Sequence, residues 1–144
     1  MTHEDRGHYA KKHSPDRKVK TEIVDALKKQ ISEGEISCAA AHKIARDLGE
    51  TPSEVGVTMD FLEVRIAKCQ MGLFGYKPEK KVVKPAGNIP EPLKEAIRGQ
   101  LENNRLSCKA AWDIAERFNL KKIEVSAACE TLGIKISPCQ LGAF

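Results

Sequence analysis

Apolar residues recur at helical spacing three times between Ile23 and Leu62, and three times again between Leu93 and Leu132. In "KTEIVDALKKQISEG", Ile23, Ala26, Leu27 and Ile31 share one face, which predicts a helix stopping at Gly34. "SCAAAHKIARDLG" predicts a second helix, with Ser37 as N-cap and Gly49 as a left-handed C-cap. The third, "TPSEVGVTMDFL", opens on Thr51 as N-cap, Pro52 in the first turn and Glu54 three residues after the cap. Its inward stripe is Val55, Thr58, Met59 and Leu62. "VRIAKC" then alternates apolar and polar positions as a strand does, and Gly72 offers a turn after it.

The pattern is written twice. A shift of seventy places aligns Ile23–Phe74 with Leu93–Phe144 without a gap, and about 16 of these 52 positions are identical. Identities include Gln30/Gln100, Ser37/Ser107, Cys38/Cys108, Ala45/Ala115, Val55/Val125 and Gly72/Gly142. Both copies end on one phrase, "CQMGLF" from Cys69 and "CQLGAF" from Cys139. An ungapped match of this length indicates duplication, and two copies are too few for a solenoid. The expectation is a mainly α protein of two tandem domains. Residues 1–19 are a basic, disordered tail; 20–76 form the first repeat, 77–89 a Lys/Pro-rich linker and 90–144 the second repeat.

The centre of each copy resembles a helix-turn-helix. Ala45, Gly49 and Val55 in "IARDLGETPSEV" are matched by Ala115, Asn119 and Val125 in "IAERFNLKKIEV". A small Ala lets two helices approach, a tolerant residue makes the tight turn, and Val locks the next helix down. A short extended "EIS" before the second helix and the extended segment after the third suggest a winged variant. The ending C-Q-(L/M)-G-x-F is similar to that of a group of uncharacterised prokaryotic helix-turn-helix proteins, a likeness that carries no activity with it. What the helix-turn-helix resemblance implies is binding to double-stranded DNA, with each third helix in a major groove.

The outward residues of the third helix complicate that expectation. In the first copy they are Glu54, Gly56, Val57, Asp60, Phe61 and Glu63, three of them acids and none a good reader of base edges. The second copy has Lys121 and Lys122 at the helix entrance, followed by Glu124, Ala127 and Glu130. Cations are concentrated elsewhere: Lys11, Lys12, Arg17 and Lys18 in the tail, Lys80 and Lys81 in the linker, and Arg65, Lys68 and Lys135 on the wings. Such arms neutralise phosphates without reading sequence. A competing expectation is a protein-interaction module that has lost DNA binding, using Val57 and Phe61 as an exposed apolar patch.

Composition excludes more than it assigns. At 41% hydrophobic but only 5% aromatic, the cores must be built from aliphatics and alanine. The charged fraction of 31% and mean hydropathy of −0.41 describe a soluble chain, and no apolar run is long enough for a membrane span. The N-terminal residues lack the apolar stretch of a secretory signal, so the expected compartment is the cytoplasm, with reduced thiols. Net charge is +4.

A thiol-based redox or metal sensor is a third reading. Cys38 and Cys69, repeated as Cys108 and Cys139, would form a redox or metal cluster if the strands brought them together. No CxxC occurs, and a small buried hydrophobe explains each cysteine more simply. Cys129, standing where the first copy has Met59, reads as core. His42 lies one turn after Cys38, but Trp112 occupies its place in the second copy, so a partly exposed structural side chain is expected. His3, His8 and His13 flank Tyr9 in the tail. No phosphate-cradling glycine loop, nucleophile elbow or paired carboxylates occur. The sequence therefore predicts a protein that is not an enzyme, with no cofactor, no small-molecule substrate and no membrane partner.

Overall fold

Each copy of the repeat yields three helices and a pair of short strands, and the chain is mainly α-helical. The computed structural model describes residues 9–13 and 17–143, the side chain of Lys12 excepted. They form two compact units, the first from residues 1–69 together with 140–144, the second from residues 70–139.

Among the described residues the first unit contains a 3-10 turn at Tyr9–Lys12, then α1 (Thr21–Gln30), β1 (Glu35–Ser37), α2 (Cys38–Leu48), α3 (Pro52–Phe61) and β2 (Arg65–Ala67). The caps are those the sequence predicts. Ser37 Oγ accepts from the Ala40 N–H at 3.1 Å and Thr51 Oγ1 from the Glu54 N–H at 3.1 Å, each satisfying a donor at a helix start. Gly49 ends α2 in the left-handed region at φ 66°. Ile23, Leu27, Val55 and Met59 are fully enclosed. Each such side chain contributes about 1.5–3 kcal/mol by leaving water.

The second unit repeats the order with α4 (Glu91–Gly99), β3 (Arg105–Leu106), α5 (Cys108–Arg117), α6 (Lys122–Leu132) and β4 (Lys135–Ile136). Ser107 caps α5 through the Ala110 N–H, and Asn119 takes the left-handed conformation at φ 55° where the first unit has Gly49. Ile97, Leu106, Val125 and Cys129 form its centre.

Helix α1 ends at Gln30, four residues before the stop expected at Gly34. Ser32 and Glu35 exchange two backbone hydrogen bonds of 2.9 Å around Glu33 and Gly34, both at positive φ. That two-residue reversal has the mirror-image turn geometry that matches strand twist, and it launches β1. Asn103 and Asn104 make the same turn in the second unit.

β1 pairs with β2 in parallel, Glu35 opposite Arg65 and Ile36 opposite Ile66. β3 pairs with β4 in the same way, Arg105 opposite Lys135 and Leu106 opposite Ile136. The "EIS" strand thus meets the strand after the third helix. Among the described residues each sheet has two strands, so that segment forms no hairpin of its own.

The units divide the chain differently from the repeat. The phrase following β2 leaves for the second unit at Gln70, and the phrase following β4 joins the first unit at Gln140. In the second unit the Gly72 carbonyl accepts from the Val82 and Val83 N–H groups at 2.9 and 3.0 Å. Met71 is buried there. In the first unit Leu141 and Ala143 are buried, and the Leu141 backbone lies against Gly56 of α3. Phe144 lies outside the described residues.

The segments preceding α1 and α4 also pack. Tyr9, expected in a disordered tail, is only 4% exposed. Val83 of the linker is buried too, and Ala86 bonds to α6 through its N–H to the Ala127 carbonyl at 3.1 Å. Thr131 Oγ1 donates to the Ala86 carbonyl at 2.7 Å. Residues 1–8 and 14–16, with His3 and His8, lie outside the described part of the tail.

Candidate nucleic-acid interface

The outward face of α3 is covered by the chain's own arm. Glu63 accepts from the Tyr9 and Ala10 N–H groups, both at 2.9 Å. His13 Nε2 lies 2.6 Å from Asp60 Oδ2, and its ring packs on Phe61 at 5.6 Å between centroids. Arg17 pairs with Glu54, and Lys20 with Glu50 at 2.8 Å. Glu50 beside it holds the Lys20 ammonium above its ordinary pKa. The acids that would have repelled phosphate therefore hold a basic segment instead.

This burial corrects the expected interaction patch. Val57 is 9% exposed and Asp60 2%, Gly56 is buried, and Phe61 is half-buried beneath His13. The only large hydrophobic side chain exposed among the described residues is Leu48. His42, expected partly exposed, is buried as well. Helix α2 has a strongly apolar flank of Ala41, Ile44 and Ala45, and His42 is drawn in beside it.

The predicted cations separate into engaged and open groups. In the first unit Arg17 is paired with Glu54, and Arg65 lies 3.1 Å from Glu35. Lys11, Lys18 and Lys68 are exposed, and the side chain of Lys12 lies outside the described residues. In the second unit Lys81 pairs with Glu130 at 2.7 Å, while Lys80, Lys121 and Lys135 are exposed. Lys122 sits over the Trp112 ring, 4.4 Å from its centroid, a cation–π contact that orients the ammonium without neutralising it. The Lys121 N–H donates to Glu124 Oε2 at 2.8 Å, closing the first turn of α6.

One residue absent from the sequence-based set completes this group. Arg105 lies opposite Lys135 in the β3–β4 register, and both are exposed. Neither makes an ion pair among the described residues. At the equivalent place in the first unit the pair is Glu35 and Arg65, opposite charges in contact. Like charges facing each other across a ladder destabilise it, so the second unit holds a position where an anion would be welcome. The signal was present in the seventy-residue shift, which aligns Glu35 with Arg105, but only the strand pairing makes it a pair of cations.

Charge follows the same division. Residues 70–139 carry twelve Lys and Arg against eight Asp and Glu, whereas the remainder carries twelve of each. The whole excess of +4 belongs to the second unit. Its two open clusters, Lys121 with Lys122 and Arg105 with Lys135, flank an eleven-residue helix roughly 16 Å long. That is several phosphate spacings on a duplex.

Among the described residues no group of three His, Cys, Asp or Glu side chains is placed to hold an ion. No disulfide joins the five cysteines; Cys38, Cys69, Cys108 and Cys129 are buried, and Cys139 is half-buried. Burial, with Glu130 adding to it, pushes the Cys129 thiol up to about 11, so it is a core group rather than a nucleophile. No helix among the described residues is long and apolar enough to cross a membrane. Comparison with family models, curated proteins and solved structures gives no match for the chain.

Proposed function

We propose that the protein is a non-enzymatic DNA-binding accessory factor, built on tandem helix-turn-helix repeats, that grips duplex phosphates through its second unit. The observation carrying this reading is the Arg105–Lys135 pair, two exposed cations retained where the first unit has an ion pair. Lys121 and Lys122 extend the cationic surface to the other end of α6. Packing of the arm on α3 and of the linker on α6 favours backbone contact over insertion of either third helix into a groove. Sequence preference is accordingly weak, and a cytoplasmic, regulatory or architectural role fits it best.

The protein-interaction reading has less support, since Val57 and Phe61 are covered by the chain itself. The test is fluorescence anisotropy of a labelled duplex of random sequence across a salt series. The reading expects affinity to fall steeply as salt rises, with a slope near −0.9 per phosphate neutralised. Lys121→Gln with Lys122→Gln should weaken binding similarly for all sequences and flatten the slope by about 1–2. Absence of binding at about 50 mM salt, where counterion release favours it, would refute the reading.

A further inference from the structure

The turn that precedes β3 carries chemistry that its counterpart in the first unit lacks. Glu102 and Arg105 exchange two backbone hydrogen bonds, of 2.8 and 2.9 Å, around Asn103 and Asn104. Both asparagines lie at positive φ, 52° and 63°, as Glu33 and Gly34 do at 53° and 76° in the first unit. The backbone takes the same course in both copies, and glycine satisfies it without strain, as at Gly34. What the asparagines add is a pair of side-chain amides at the tip. Asn103 and Asn104 are exposed, and among the described residues neither amide has a hydrogen-bond partner.

The charge around the turn changes as well. In the first unit Glu33 and Glu35 stand beside Arg65, and Glu35 engages Arg65 at 3.1 Å. At the same places the second unit has Asn103 and Arg105 beside Lys135, with Glu102 for Ser32 the one acid gained. An acidic rim has become a cationic one, around a tip of neutral hydrogen-bonding groups. The position lies between the first and second helices of the repeat, where the helix-turn-helix resemblance assigns no role.

Asparagine amides flanked by Arg and Lys are the side chains that read the minor groove of a duplex. An α-helix, about 10–12 Å across, does not enter that groove, about 6 Å wide, but single side chains projecting from a tight turn do. Its floor presents N3 of adenine and O2 of thymine as acceptors, whereas guanine adds an amino group that obstructs a donor. A-tract grooves are also narrow, and their stronger negative potential attracts Arg and Lys. We propose that the Asn103–Asn104 turn enters the minor groove, its amides donating to A·T base edges, with Arg105 and Lys135 on the phosphates at the groove's lips. This rests on the phosphate-binding reading and gives the protein a preference for A·T-rich duplex, one of base composition rather than of sequence.

Anisotropy at one salt concentration, with labelled duplexes of equal length, tests it. One duplex is A·T-rich, one is G·C-rich, and the last is the G·C-rich sequence with inosine replacing every guanine. An I·C pair lacks the guanine amino group, so its minor groove resembles that of A·T while its major groove resembles that of G·C. The A·T and I·C duplexes should bind alike, and about fivefold or more tighter than G·C, the low end for a base contact. Asn103→Gly with Asn104→Gly removes the amides and still accepts positive φ. With native circular dichroism, that variant should bring the affinities within about twofold of one another and leave the salt slope unchanged. Where it does not fold, the duplex comparison on the unaltered protein decides alone. Equal affinities with a steep salt dependence would overturn the inference and leave phosphate binding standing. So would an I·C duplex that follows G·C, or a folded variant that keeps the A·T preference. Absence of binding to all of them would refute both.

Discussion

Individual side chains in this protein were the easiest to anticipate where backbone chemistry leaves few options. Ser37 and Thr51 cap their helices because short hydroxyl side chains reach an N–H three residues on, and Gly49 ends α2 because it meets the left-handed region without a Cβ. Cys129 illustrates what burial then does to chemistry. Its folded pKa of about 11 lies above that of an unfolded thiol, near ~8.5. The folded state therefore holds the proton more tightly, and that contribution is intact below pH ~8.5 and lost as pH rises through about 11. Urea unfolding is expected to show stability declining across this window, with a shallower decline in Cys129→Ala. In mass-spectrometric labelling with iodoacetamide at neutral pH, half-buried Cys139 should react first and Cys129 last.

Whole elements were legible only in part. The helices α1 to α6 follow from apolar periodicity and caps, since a packed amphipathic face is local information in the sequence. What lies on that face's opposite side is not local. Glu54, Asp60 and Glu63 read as an acidic, solvent-facing stripe until the arm carrying Tyr9, His13 and Arg17 is seen lying on them. The expected end of α1 failed for a related reason: Glu33–Gly34 makes a turn that prepares a strand, and the strand's partner is thirty residues away. Docking of the arm should depend mainly on Tyr9, whose burial is worth about 2 kcal/mol, and less on its exposed charges. In chemical denaturation Tyr9→Ala should cost about that much, and Arg17→Gln less than about 1 kcal/mol. Limited proteolysis should show the arm cut faster in Tyr9→Ala.

At the scale of the molecule, duplication has produced two units with one architecture and different surfaces. The first has matched its charges internally, through Glu35–Arg65 and the arm pairs, and is neutral as a whole. The second retains the entire net charge and the unmatched Arg105–Lys135 pair. The repeat itself was plain from the sequence, but the exchange of closing phrases was not, because a seventy-residue periodicity does not say which copy of a phrase closes which unit. The facing of Arg105 and Lys135 is likewise visible only after parallel pairing sets the two cations side by side.

The most direct measurement is duplex affinity and its salt dependence for Arg105→Glu beside the unaltered protein. The substitution recreates in the second unit the opposite-charge pairing of the first. Stability should hold or rise by less than about 1 kcal/mol. Affinity for a random duplex should fall about tenfold or more, and the salt slope should drop by at least about 1. A folded variant that binds duplex as tightly as the original, with the same slope, would contradict the account.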